Sequence, residues 1–196
     1  MNYLKKHFFV IIIALTFSCK KPATIEKWDK ATIDNKISRN KIYKELDKQN
    51  DIPNHFSKNT TVTKKSSGVS YYYGERINLN DKYSKYYNCE ANFLLSDTLK
   101  IDIGYVGGYS GSGFIIKLKN DKFYTEAYSY DDVVYEDETK STYNLIYQKL
   151  ILDKQNYKVG DSLYGNIEFK SIETDHKNNR IQHFGKGYFR TKIKGL

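Results

Sequence analysis

Hydrophobic and polar residues alternate along much of the chain beyond Val69, a pattern typical of β-strands with one buried face. In the run 99–105, Leu99, Ile101 and Ile103 occupy odd positions, with Lys and Asp between them. β-Branched and aromatic residues dominate these runs, and Gly, Asn and Asp bound them. We predict strands at 69–79, 99–106, 113–119, 123–130, 143–152, 162–172 and 181–193. Without βαβ alternation, this series predicts a mostly β fold, an antiparallel β-sandwich or barrel.

A different periodicity precedes the strands. Ile33, Ile37, Ile42 and Leu46 are spaced by four, five and four residues, which places them on one face of a helix. The spacing predicts a short helix over 32–48, and the polar run 50–68 reads as a connection.

The first nineteen residues carry a third pattern. Lys5 and Lys6 precede an apolar run from Phe8 to Phe17, which is too short to span a membrane. Ser18 and Cys19 follow, and with Leu15 they resemble the lipobox of bacterial lipoproteins. Phe17 is bulkier than the usual residue of that pattern.

The resemblance implies that the chain is cut before Cys19 and anchored in a membrane by acyl chains on that residue, because two or three chains make a durable anchor. A plain signal peptide with an incidental Cys is the alternative. Lys20 is not the Asp associated with inner-membrane retention, so we expect a location in the bacterial cell envelope, at the outer rather than the inner membrane. The predicted organisation is a signal peptide (1–18), a lipidated tether (19–32), a helix with a polar connection (33–68) and a β-rich domain (69–196).

The formal charge of +9 is unevenly distributed. Residues 66–196 carry eighteen basic and seventeen acidic side chains, whereas residues 20–65 carry twelve and six. The excess therefore lies beside the expected membrane, where anionic head groups attract Lys and Arg. Coding bias toward Lys is an alternative reason for it. Both readings disfavour a nucleic-acid partner, which needs basic residues clustered on the folded domain.

A second resemblance covers the segment Leu150–Ile167. A strand, then Tyr157, Gly160 and Asp161, then another strand containing Gly165, is similar to a segment of immunoglobulin-like extracellular domains. The resemblance implies that Gly160 takes a positive φ, that Asp161 bonds backbone amides in the turn, and that Tyr157 covers the end of the sandwich. It implies a fold and no activity.

Two groups of residues are candidates for chemistry or binding. The run Gly104–Gly113 lacks the Lys-Ser/Thr of a phosphate loop and the spacing of a serine nucleophile, so we interpret it as a glycine-rich loop between strands. Tyr105 and Tyr109 in it, with Tyr71 and Tyr73 from a tyrosine run, are the candidate ligand-binding residues, because exposed aromatic rings stack on sugars or anchor protein partners.

No spacing typical of a metal or cofactor site occurs. His55, His176 and His183 form no metal-binding motif, and the acidic run 131–138 lacks the spacing of a calcium loop. If Cys19 carries lipid, Cys89 has no disulfide partner, and its apolar neighbours favour burial over a free reactive thiol. We expect no cofactor, no metal and a monomer.

These patterns favour a non-enzymatic binding module for a glycan or an envelope protein. An immunity or inhibitor lipoprotein that neutralises a toxin is one alternative. An envelope hydrolase, assembled from distant residues, is another. The location of Tyr109, Ser110 and the acidic loop, converging or scattered, would best separate these readings.

Overall fold

The structure, a computed structural model, describes residues 26–50, 64–80, 87–95, 97–106, 109–132, 141–175 and 177–195. These ranges contain ten strands and two short helical segments. In chain order they are β1 (Asp29–Lys30), β2 (Thr32–Ile33), a 3-10 helix (Ile37–Arg39), α1 (Lys41–Leu46), β3 (Ser70–Gly74), β4 (Asn88–Phe93), β5 (Leu99–Val106), β6 (Ser110–Lys119), β7 (Lys122–Asp131), β8 (Thr142–Leu152), β9 (Ser162–Thr174) and β10 (Arg180–Lys194).

The strands form one nearly closed, barrel-like sheet in the order β1-β7-β6-β5-β4-β10-β9-β8-β2. The prediction of a mostly β sandwich or barrel is confirmed. The sheet is mixed, because β4 with β10 and β2 with β8 run parallel while the other pairs are antiparallel. β10 joins the two halves of the barrel: its first part pairs with β3 and its last two residues pair with β4.

Alternation along the strands fills the barrel interior. Odd-numbered residues of β5 and even-numbered residues of β6 point inward, and so do the odd-numbered residues of β9. Phe114 and Phe169 meet at the centre with their ring centroids 4.7 Å apart. Cys89 lies in this core, which confirms its predicted burial.

One buried side chain closes the gap between β7 and β8. Gln148 Oε1 accepts from the Thr125 N–H at 2.9 Å, and Gln148 Nε2 lies 3.2 Å from the Phe123 carbonyl oxygen. The same Nε2 donates to the Lys27 carbonyl at 2.9 Å. The amide thus replaces a strand's N–H and C=O at this seam and ties the N-terminal stretch to the barrel.

The predicted helix over 32–48 is wrong in extent. Residues 32–33 form β2, and Asn40 separates a 3-10 turn from the six-residue α1. Asn40 has extended backbone, and its side chain accepts from the Ile42 N–H, so it begins a new helix instead of continuing the old one. Because β1 pairs with β7 and β2 with β8, residues 29–30 and 32–33 of the stretch predicted as tether and helix belong to the barrel sheet.

The glycine-rich loop is a second correction. β6 begins at Ser110, so residues 110–112, which were read as loop, belong to a strand, whereas Gly104 and Gly113 lie within β5 and β6 as the predicted strands had them. A Cβ on Gly104 would come within 2.0 Å of the Tyr128 hydroxyl, so the glycine leaves room for that ring across the sheet. These residues build strand surface, since β5 ends at Val106 and β6 begins at Ser110.

Two strand predictions also change. The strand at 69–79 ends at Gly74, and β4 was not predicted. By contrast, the turn that resembles immunoglobulin-like domains has the expected local geometry. Gly160 has φ +89°, and Asp161 accepts from the Lys158 N–H at 2.9 Å. Tyr157 packs against the core beside it.

Candidate functional site

One end of the barrel interior is lined mainly by hydroxyl and aromatic side chains, with Leu145 and Ile181 among them. We call it the tyrosine end. The alternation that points Phe169 inward also points Ser171 and Glu173 inward, and in β10 it does the same for His183. The inward-facing residues here include Tyr71, Tyr73, Tyr87, Tyr105, Ser112, Ser129, Tyr143, Ser171, Glu173 and His183.

A buried chain of hydrogen bonds crosses this end. The Tyr71 hydroxyl lies 2.7 Å from His183 Nδ1, and His183 Nε2 lies 3.0 Å from a Glu173 carboxylate oxygen. An ionised carboxylate only accepts, so His183 Nε2 carries the proton that it donates to Glu173. In the neutral form of the ring, Nδ1 accepts from the Tyr71 hydroxyl. The strand register brings the three residues together, because Tyr73 pairs with His183 and His183 with Ser171.

Burial and hydrogen bonds shift the pKa values of three groups around His183. Burial raises the pKa of the Tyr71 hydroxyl well above its ordinary value, so it remains a donor. Burial would raise the pKa of the Glu173 carboxyl, but hydrogen bonds from His183, Ser141 and Tyr143 outweigh it, and the pKa is lowered. Burial and the Glu173 charge raise the pKa of Tyr143. Glu173 is therefore a carboxylate that accepts from several surrounding donors.

Tyr73 lies on top of this chain. Its ring stacks on His183 with centroids 6.4 Å apart and planes 14° apart, and on Tyr71 at 6.0 Å and 25°. Tyr73 is 53% exposed, whereas Tyr71 is 2% and His183 1% exposed. A rigid buried support thus fixes one face of an aromatic ring and leaves the rest open to solvent.

The opposite wall of the tyrosine end belongs to β4, β5 and β6. The Tyr87 ring meets Tyr71 edge to face at 5.3 Å, and its hydroxyl lies 3.2 Å from Ser112 Oγ. Ser112 pairs with Tyr105 across the sheet, and Tyr105 is 48% exposed. The described inward-facing residues of this end include no Lys or Arg. The surface therefore offers rings and hydroxyls beside a single buried carboxylate.

The structure brings most of the sequence candidates to the same end. Tyr71 and Tyr73 share one face of β3, Tyr105 lies near the end of β5, and Tyr109 directly precedes β6 with 70% exposure. Ser110 pairs with Asp131, so this part of the glycine run and the start of the acidic run converge. Residues 133–140, with the rest of the acidic run, lie outside the described residues, as do Cys19, His55 and His176.

Sequence reasoning missed the members that support Tyr73. His183, Glu173 and Tyr143 were not candidates, although His183 was recognised as lying in a strand. The available signal was alternation: His183 and Glu173 fall at inward positions of neighbouring strands, where an apolar residue is expected.

Tyr71, His183 and Glu173 are the residue types of a proton relay, but Tyr71 and His183 are shielded from solvent. Both ring nitrogens of His183 are bonded within the protein, and the side chain is buried. Tyr71 and His183 are both buried, and in this structure they support the exposed Tyr73 ring. Within the described ranges, no group of three or more His, Cys, Asp or Glu residues is arranged to hold a metal ion.

A separate cavity of about 220 Å³ lies on the outside of the barrel, under the 3-10 helix. Asp34, Ile37, Asn40, Ile151, Asn166 and Tyr188 are among the residues that line it. Its strand residues point outward, so it does not communicate with the tyrosine end.

Comparison with known proteins gives no relative to argue from. No family model, no curated protein and no solved structure matches the chain. Neither helical segment of the described residues is long and apolar enough to cross a membrane. The functional argument therefore depends on the geometry of the tyrosine end.

Proposed function

We propose that this protein is an envelope lipoprotein whose barrel is a non-enzymatic binding module for a neutral glycan, taken at the tyrosine end. The observation that carries the proposal is Tyr73, an exposed ring held flat against His183 and Tyr71. A pre-positioned ring binds the apolar face of a sugar without the entropy cost of ordering it.

The surroundings of Tyr73 favour a neutral sugar. The hydroxyls of Ser112 and Tyr87 supply donors and acceptors, and Glu173 supplies negative charge beneath the ring. A polyol satisfies such groups, whereas an anion meets a carboxylate with no Lys or Arg among the described inward-facing residues of this end to offset it. An envelope protein that inserts an exposed side chain here is the second possible ligand.

A glycan array of neutral, N-acetylated and acidic sugars, probed with the full chain in detergent, tests the proposal. We expect hits among neutral or N-acetylated sugars, with affinity that falls about three- to tenfold in Tyr73→Ala, since an aromatic contact contributes roughly 0.5–1.5 kcal/mol. Tyr130→Ala is the matched control, because Tyr130 is exposed on the outer face of β7. A blank array, or equal losses in both variants, would contradict the proposal.

The membrane anchor is a separate part of the proposal. Cys19 carries the acyl chains, and the outer membrane is the expected site. Mass spectrometry of the mature N-terminus tests it: a triacylated or diacylated Cys19 supports the anchor, and an unmodified Cys19 or a different first residue overturns it.

A further inference from the structure

The outer face of β8, β9, β10 and β3 carries aromatic and basic residues in the same rows. One row runs across four strands through Tyr147, Lys170, Phe184 and Tyr72, which are successive register partners. At about 4.8 Å between strands, the row is roughly 14 Å long. Tyr147 is 38% exposed, and the ring centroids of Tyr72 and Phe184 are 6.3 Å apart.

The neighbouring row adds charge. Lys149, Glu168 and Lys186 are register partners, and Glu168 is bonded to Lys186 at 3.0 Å and to the Tyr147 hydroxyl at 3.3 Å. With Lys170 and Arg180, this part of the face has four cationic side chains and one carboxylate. None of the ion pairs between described residues involves Lys149, Lys170 or Arg180.

The outer face of β5, β6 and β7 differs. Lys100 pairs with Asp102 at 2.9 Å, and Lys117 pairs with Glu126 at 2.8 Å and with Glu26 at 3.3 Å. Lys100 and Lys117 are thus bonded to carboxylates, whereas Lys122 on the same face is in none of the ion pairs between described residues. The face with the aromatic row therefore has more basic side chains outside the ion pairs, namely Lys149, Lys170 and Arg180.

We propose that the face formed by Tyr147, Lys149, Lys170, Phe184 and Lys186 binds an acidic polysaccharide. Lysines at these positions attract carboxylate or phosphate groups along the polymer. The aromatic row supplies flat surfaces for its sugar rings, spaced across the strands at a distance suited to an extended chain. This site uses residues different from those of the tyrosine end and is independent of the function proposed there.

An acidic polysaccharide fits this face better than the other polyanions. An acidic protein would use the charges without needing a row of rings. Single-stranded nucleic acid would use both, but the expected export to the envelope keeps it away, and none of the five residues of the proposed face is an Arg. Both remain outcomes of the test below.

The test is titration of the full chain, in detergent and at low salt, with oligogalacturonate. Lys149→Gln/Lys170→Gln is compared with Lys100→Gln/Lys122→Gln, which removes two charges from the opposite side of the barrel. We expect a loss of about fivefold in the first variant and less than twofold in the second, because exposed ion pairs are individually weak. Salt should weaken the wild-type affinity. Near-ultraviolet circular dichroism checks that every variant is folded.

Three further titrations complete the test. Tyr147→Ala should weaken oligogalacturonate binding about threefold and leave inorganic polyphosphate binding unchanged, since polyphosphate has no rings to stack. Tyr73→Ala should leave oligogalacturonate binding intact, which separates this site from the tyrosine end. The proposal is overturned by absent oligogalacturonate binding, by equal losses in the two lysine variants, or by equal or tighter binding of polyphosphate, poly-glutamate or an oligothymidylate.

Discussion

At one end of the barrel interior the side chains that meet are Leu, Ile and Phe, and at the other they are mainly Tyr, Ser, His and Glu. The apolar end includes Ile101, Phe123, Leu163 and Phe189, each with no measurable exposure. The tyrosine end places the chain Tyr71–His183–Glu173 at a similar depth. Apolar burial is non-directional and stabilises in proportion to area, whereas a polar network fixes positions but is costly if one member is lost.

The comparison shows how one fold combines stability with a site. Tyr73 is held by neighbours that are themselves held by hydrogen bonds, so the exposed ring needs no partner to be ordered. The apolar end stabilises the barrel and offers nothing for a ligand. Removing residues from each end, and from the seam between β7 and β8, should have different consequences.

The largest effect on stability is expected at the apolar end. Phe189→Ala should lower the free energy of unfolding by about 4 kcal/mol, because it removes a fully buried ring that packs over Gly165 and leaves a cavity. Urea unfolding followed by circular dichroism measures the change. A loss below about 1 kcal/mol would show that this end is not the stabilising half.

His183→Ala should lower the free energy of unfolding by about 3 kcal/mol, which is less than the loss expected for Phe189→Ala but still severe. The substitution leaves the Tyr71 hydroxyl and the Glu173 carboxylate without their shared hydrogen-bond partner in a buried site. It should also reduce glycan binding, because Tyr73 loses the ring on which it stacks. Unchanged stability with normal binding would remove the network from the account.

At the seam between β7 and β8, Gln148→Leu should lower the free energy of unfolding by about 2 kcal/mol. Leu fills similar space but leaves the Thr125 N–H and the Phe123 and Lys27 carbonyls without the amide. Amide hydrogen exchange of Thr125 should accelerate. Wild-type protection of that amide in the variant would contradict the role given to Gln148.

Acid should weaken the tyrosine end selectively. The pKa of Glu173 is lowered in the folded protein from about 4.5, so its charge contributes stability above that value, and the contribution is lost as pH falls through the folded pKa. Glu173→Gln cannot titrate. The stability advantage of the wild type over this variant should therefore shrink as pH falls from about 6 to 3. An advantage that is constant or grows on acidification would show that the Glu173 pKa is not lowered.

The alternation of hydrophobic and polar residues allowed the β class and most of the strands to be predicted, because every second residue of a strand with one buried face is apolar. The predicted strand 99–106 coincides with β5. The helix over 32–48 failed because Asn40 caps a new helix, a local side-chain bond that outweighs apolar spacing. Gly111 was taken for a loop residue because its reason, the Tyr130 ring over it, comes from another strand.

The sites were harder to predict than the fold. Tyr71 and Tyr73 were identified from a tyrosine run, but their supports His183 and Glu173 come from residues about a hundred positions away, joined only by strand register. The charge count of residues 66–196 is likewise near neutral, although the basic side chains Lys149, Lys170 and Lys186 share one face. The net charge of a segment does not show how its charged side chains are distributed over the folded surface.

The smallest expected change in stability belongs to the variant that matters most for function. The central claim is that Tyr73 is a supported but dispensable ring whose role is to bind a glycan. The direct measurement is thermal unfolding of wild type and Tyr73→Ala with and without the glycan identified on the array. We predict free energies of unfolding within about 0.5 kcal/mol without glycan, and a glycan-induced rise in melting temperature in the wild type only. A variant that is strongly destabilised, or that the glycan stabilises as much as the wild type, would contradict the account.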